Sequence, residues 1–223
     1  MNATTITEHC PEIPVSLADQ AYGRLRDRLT MLEIRPGAMI HDALLASEMG
    51  IGRTPIREAL KRLETDHLVV SYARRGTFAT QVDITALSDV SELRRHLEPL
   101  AAHKAALSAP PAVRQQMQDL ARTLEELACG ESTNRTFMRA DLDVHRLIYR
   151  AAGNDHLEET LVRLDNLATR IWCLVLDRVP GVSGHVHEHV QLLEAIAAGR
   201  ADEAAGLALD HVTSFERTMR VVL

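Results

Sequence analysis

The sequence predicts a mainly α-helical chain in two parts, a small domain of helices with one hairpin and then an all-helical bundle. Aromatic residues make up only 3% of the 223 residues while Ala and Leu are plentiful, which favours helices over sheets because strands prefer aromatic and β-branched side chains. Through the second half, apolar residues recur at intervals of three and four, as in Leu157, Leu161, Leu164, Leu167 and Ile171. The β-prone runs LVVSY and TFATQ flank ARRG ahead of Thr85, after which strand signals fade.

Taken in order, SLADQAYGRLRDRLTML (16–32) reads as a helix with Ser16 or Asp19 placed to cap it. Pro36-Gly37 ends it with a turn. DALLASEM (42–49) is a short helix, expected to be capped by Asp42 and stopped by Gly50. The next runs from about Thr54 to Asp66, with Pro55 in its first turn, where a missing N–H costs nothing. The two β-prone runs then form a hairpin with Gly76 available for a positive φ. Further helices are expected over 85–107, 111–128, 135–152, 155–178, 184–198 and 202–221. Their breaks are Pro110-Pro111, the CGESTN loop, Gly153-Asn154, Pro180-Gly181 and Gly199. This divides the chain into a flexible tail (1–15), a winged helix-turn-helix domain (16–82) and an all-helical domain (83–223).

The net charge of −6 is unevenly spread. Residues 1–80 carry ten basic and ten acidic side chains, so residues 81–223 hold the whole excess. Within 53–75, six basic residues face three acidic ones. On a helix, Arg53, Arg57 and Lys61 share one face, while Ile56, Leu60 and Leu63 face the other way. Two short helices around Gly50-Ile51-Gly52 make a helix-turn-helix, whose second member enters a major groove where Arg pairs with guanine. Thr54 can serve phosphate or base, and Arg74 and Arg75 at the hairpin tip reach toward the neighbouring backbone. A solvated charged face is the plainer reading of an isolated R-x-x-x-R-x-x-x-K. The glycine turn, the preceding helix and the RRG hairpin together favour DNA.

RPGAMI, LASEMGIGRTPIREALKRLE, LVV and RRGTFA resemble, in order and spacing, the N-terminal domain of the GntR family of bacterial transcription regulators. The resemblance implies DNA contact through Arg53, Thr54 and Arg57, with Gly76 at the wing tip. Three positions depart from the family pattern: Ala43 stands where some members carry Arg, Gly52 where Ser or Thr is frequent, and His67 where Gly usually follows the recognition helix.

In the helical part, Asp141 and His145 are four apart and project together, and His189 and His211 lie on two further helices. One carboxylate and three imidazoles from three helices suit an internal site for zinc or another divalent ion. On spacing alone His185 with His189 is an equally good i, i+4 pair, and Asp143 competes with Asp141. SELRRHLEPLAAHKAA, DLDVHRLIYRAAGN and EHVQLLEAIAAGRADEAAGLALDH are similar to the FCD ligand-binding domain of the FadR subfamily. That resemblance selects Asp141, His145, His189 and His211 as metal ligands, with nickel or manganese as alternatives to zinc. Val144 replaces the Phe common beside the second ligand. It further implies a small organic-acid effector, for which Arg94 or Arg95 is a candidate clamp, with Asn166 and Arg170 as further pocket residues. For Arg94 the alternative is a salt bridge to Glu92 or Glu98.

These readings predict a ligand-responsive homodimer on a palindromic operator, since one recognition helix reads only a few base pairs. The rivals are a metal-dependent hydrolase, a protein adaptor, and the same regulator with a structural metal or a metal-free acyl-type pocket. No H-E-x-x-H or nucleophile motif supports the hydrolase. IWCLVL is too short to cross a bilayer, no signal core precedes Ser16, and three scattered Cys suit a reducing compartment. The expected location is the cytoplasm.

Overall fold

A computed structural model describes residues 15–130, 133–178 and 183–223. Nearly all of the expected tail, the middle of the CGESTN loop and the Pro180-Gly181 break lie outside them. The N-terminal elements are α1 (Leu17–Thr30), β1 (Met39–Ile40), α2 (Asp42–Met49), α3 (Arg53–Thr65), β2 (Val69–Tyr72) and β3 (Gly76–Ala79). A 3₁₀ turn, Ile84–Ala86, leads into α4 (Leu87–Ser108), α5 (Pro111–Cys129), α6 (Asn134–Ala151) and α7 (Asp155–Val175). A second 3₁₀ turn (Leu176–Arg178), α8 (Ser183–Ala197) and α9 (Ala201–Val222) follow.

Local chemistry sets the ends of these helices. Ser16 caps α1 by accepting from the Asp19 N–H at 3.1 Å, and Asn154 caps α7 by accepting from the Leu157 N–H at 3.1 Å. Asp42 is not the cap of α2 that the sequence suggests. It is the first helical residue, the cap is His41 without a side-chain bond, and the Asp42 carboxylate turns to α3 instead. Gly50 ends α2 in the left-handed region at φ 65°. At the end of α3 the same role falls to His67, at φ 60°.

The sheet has the order β1-β3-β2, with both pairs antiparallel. Tyr72 opposes Gly76 across the hairpin, and Ile40 opposes Thr77 on the other edge. The strand β1 was not expected, because two residues after a Pro-Gly turn show no alternation to read. Leu25, Leu29, Ile56, Leu63 and Leu68 form the buried centre of this part.

In the bundle α4 packs on α9, α7, α6 and α8, while α5 lies against α8. One apolar cluster gathers around Tyr149, Leu161 and Leu192, another around Trp172, Phe215 and Met138. The second also takes in Met31, just past α1, so the apolar interior continues between the two parts. Polar contacts run alongside it: the Thr30 hydroxyl donates to Asn166 Oδ1 at 3.3 Å, and Arg139 meets Glu33 at 2.7 Å. Among the described residues no helix is long and apolar enough to cross a membrane.

Candidate functional site

Helix α3 buries Ile56, Ala59, Leu60 and Leu63 and leaves Arg53, Thr54, Arg57 and Lys61 on its outer side. The side chains of Arg53 and Arg57 are 56% and 64% exposed, so the guanidinium face is open to solvent. Both are gathered by Asp42: Arg53 Nη2 donates to both carboxylate oxygens at 3.1 Å, and Arg57 Nε donates to Oδ2 at 2.6 Å. These bonds, the Arg57 one first, hold the Asp42 carboxyl below its usual value. At the hairpin tip Arg74, Arg75 and Gly76 are exposed, with Arg74 at φ 63° and Gly76 at φ 97°. A side chain at Gly76 would be strained by that φ and would press on Met39 Cε at 3.0 Å. Between α3 and the wing lies a groove of about 330 Å³ whose lining includes Asp42, Arg57, Lys61, Ser71, Gly76 and Thr77.

Within the bundle, α6 brings Asp141 and His145, α8 brings His189 and α9 brings His211 to one buried point. One ligand atom from each lies within 4.8 Å of all the others. Asp143, the competitor of Asp141, is not in this group, and His185 joins His211 only in an adjoining set with Glu188. His189 Nε2 is buried, 3.5 Å from Asp141 Oδ1, and makes no hydrogen bond. A buried imidazole nitrogen without a partner is costly unless something binds it.

Neighbouring side chains orient two of the imidazoles. Tyr149 donates its hydroxyl proton to Glu98 at 3.0 Å and lies 3.1 Å from His145 Nδ1. That network assigns the proton to Nδ1 and leaves Nε2 of His145 as a lone pair. Likewise His211 Nδ1 meets the Glu188 carboxylate at 2.8 Å, which leaves its Nε2 facing the cluster. Burial holds His145 and His189 well below the usual histidine value, hence neutral, as ligation requires. Glu188, one residue before His189, is a functional residue that sequence reasoning missed. Its role as a support for His211 depends on how α8 packs on α9, which spacing along one helix does not reveal.

Charge here is unbalanced. Arg94, Glu98, Asp141 and Asp165 are all buried, three carboxylates to one guanidinium. Arg94 donates to Glu98 at 2.5 Å and lies 3.4 Å from Asp165. Burial, then the charge of Asp165, pushes the Asp141 carboxyl well above the carboxylate range, and burial lifts Asp165 to about 6. A divalent cation would neutralise the set. The residues present therefore fit such an ion by ligand type, proximity and charge.

A cavity of about 10 Å³ adjoins the cluster, lined by Arg94, Asp165, Thr169, Trp172 and Phe215 beside Asp141, His145 and His211 of the cluster. Arg94 thus lines the cavity and is also paired with Glu98, the salt bridge that the sequence offered as the alternative. Arg95 points elsewhere and pairs with Glu216. The expectation that Asn166 and Arg170 line the pocket is corrected. Arg170 donates to Thr80 Oγ1 and to the Thr80 carbonyl, both at 2.6 Å, and Asn166 accepts from Thr30. On α7 it is Asp165, Thr169 and Trp172 that face the cavity, while residues 166 and 170 lie round the helix toward the N-terminal part.

Comparison with known proteins gives these sites a context. Residues 17–79 match the family described as bacterial regulatory proteins, gntR family, and residues 89–214 match the FCD domain. The Nta operon transcriptional regulator of Aminobacter aminovorans is 28% identical over 190 residues, covering 84% of this chain and 88% of that protein. The HTH-type transcriptional regulator LutR of Bacillus subtilis is 23% identical over 204 residues, covering 82% and 92%. In three dimensions Escherichia coli McbR/YncC superposes with a TM-score of 0.77 at 21% identity, covering 93% of this chain and 98% of that one. The matches span both parts of the chain in the same order.

Proposed function

From the premise that this chain belongs to the gntR family of bacterial transcription regulators and carries the FCD domain, we propose that Asp141, His145, His189 and His211 hold a divalent metal ion beside a pocket for a small organic acid. The chain is a DNA-binding transcription regulator and not an enzyme. The finer reading rests on one observation, four buried ligand atoms within 4.8 Å of one another, reinforced by the excess of buried carboxylate around Arg94. Zinc suits the three imidazoles and one carboxylate, and nickel or manganese are the alternatives. When bound, the ion supplies a Lewis-acidic point of attachment for a carboxylate. Glu188 and Tyr149 fix the tautomers of His211 and His145, and Arg94 offers a second anion contact. The FCD match also supports placement in the FadR subfamily.

The pocket's size bears on how an effector would act. About 10 Å³ accommodates roughly one water, so an organic acid enters only if the walls shift. One wall is α7, whose opposite side holds Thr80 and Thr30 through Arg170 and Asn166. An effector that prefers the shifted arrangement would therefore change how the winged part is held, and by linkage its affinity for DNA. A charged lining speaks against a metal-free acyl pocket, because burying a hydrocarbon chain against Arg94, Asp141 and Asp165 gains little. The small cavity does favour, as a second reading, an ion that is purely structural.

Metal analysis of the purified protein after exposure to zinc tests the assignment. About one ion per chain is expected, with the affinity of His189→Ala and of His211→Ala lower by tenfold or more. Wild-type protein that binds no divalent ion, or a His189→Ala variant that binds as tightly, would overturn the metal site. If the metal binds but di- and tricarboxylates leave DNA affinity unchanged, the structural reading stands instead.

A further inference from the structure

We infer that Asp42 is a specificity-determining residue for DNA, a carboxylate that aims Arg57 and Arg53 at base edges and weakens their attachment to phosphate alone. This rests on α3 being the DNA-reading element. Arg57 is held by its Nε at 2.6 Å and Arg53 by its Nη2 at 3.1 Å. Arg57 therefore keeps both terminal NH₂ groups free, and its side chain is exposed. That end-on pair is one of the forks with which guanidinium meets the O6 and N7 of guanine. A long exposed side chain otherwise samples many rotamers, and fixing it before binding removes an ordering cost from the specific complex.

Asp42 itself sits where it can do this without moving. It is the first residue of α2, its side chain is 25% exposed, and its carboxylate spans both arginines across the helix-turn-helix. The same negative charge penalises contacts that offer the arginines nothing but phosphate, since a phosphate arriving at Arg53 or Arg57 also meets Asp42. A guanine edge carries no net charge and escapes most of that repulsion. One residue thus works in opposite directions on cognate and random DNA.

The test uses the full-length protein, a duplex selected by the wild type from a randomised 20-base-pair library, and a shuffled duplex of equal composition. Asp42→Asn is expected to raise affinity for the shuffled duplex by about eightfold at 0.1 M salt, the effect of one added phosphate contact. Affinity for the selected duplex should stay level or fall, so the ratio between the two collapses. Asp42→Ser, which also removes the charge, repeats the measurement if Asn disturbs α2. In an Arg57→Ala background the change in ratio on mutating Asp42 should shrink, because the aimed group is gone. An equal change on both duplexes, or none, would overturn the inference and mark Asp42 as an ordinary surface ion-pair partner. If Arg57→Ala alone leaves binding to the selected duplex intact, the reading of α3 fails first.

Discussion

His67 closes α3 at φ 60°, a conformation that costs a residue with a Cβ about 1 kcal/mol. The Leu68 N–H reaches the Leu63 carbonyl at 3.0 Å and the His67 N–H reaches that of Glu64 at 3.1 Å, the paired bonds of a Schellman ending. Glycine is the residue such an ending favours, so His67→Gly is expected to stabilise the N-terminal part by up to about 0.5 kcal/mol once glycine's greater freedom when unfolded is counted. Urea unfolding followed by circular dichroism would show it as a higher midpoint, and a lower one would contradict the strain. This position was legible in the sequence because the departure from glycine was itself visible. Of the proposed metal ligands, Asp141 and His145 were legible as a pair one helical turn apart, whereas His189 and His211 were selected by the family resemblance. Arg170 was misread because residues 169 and 170 differ by about 100° around α7, and sequence alone does not say which direction faces the cavity.

At the scale of the element, periodicity located the long helices well. The expected 155–178 appears as α7 and its 3₁₀ extension, and 111–128 as α5. What periodicity could not supply was β1, which exists because Met39 and Ile40 find Phe78 and Thr77 across the sheet. Helix α4 shows both sides of the matter. Its inner face carries Arg94 and Glu98, while Leu93, Leu100 and Leu107 are exposed at intervals of seven residues. Such a stripe along one side of a helix is what a two-fold partner would cover, and it supports the proposed homodimer. Leu100→Glu is expected to shift sedimentation from dimer to monomer and to weaken binding to a palindromic duplex at least tenfold, because each half-site is then bound alone. A wild-type chain that sediments as a monomer at micromolar concentration would contradict the assignment.

Across the whole molecule, the charge division read from the sequence has a spatial counterpart. The acidic excess lies in the bundle, and exposed arginines mark α3 and the wing. The two parts touch through α6 and α7, and on α7 the cavity side and the winged side are set by adjacent residues. That connection was invisible in the sequence, where Thr80 and Arg170 are 90 residues apart. Arg170→Ala removes two bonds to Thr80 and should leave metal affinity nearly unchanged. With a panel of small di- and tricarboxylates, we expect the wild type to show a change in DNA affinity of about fivefold or more. In Arg170→Ala that response should fall below twofold; an undiminished response would show that coupling runs elsewhere.

The open guanidinium face of α3 is the surface expected to meet duplex DNA. Fluorescence anisotropy with a selected duplex, run from 50 to 200 mM salt on wild type and Arg57→Ala, addresses it directly. The wild type should bind and weaken by about 10³-fold or more over that range, as a dimer with several phosphate contacts does, while Arg57→Ala loses at least tenfold at every salt concentration. Binding that ignores salt, or an Arg57→Ala variant that matches the wild type, would contradict the account.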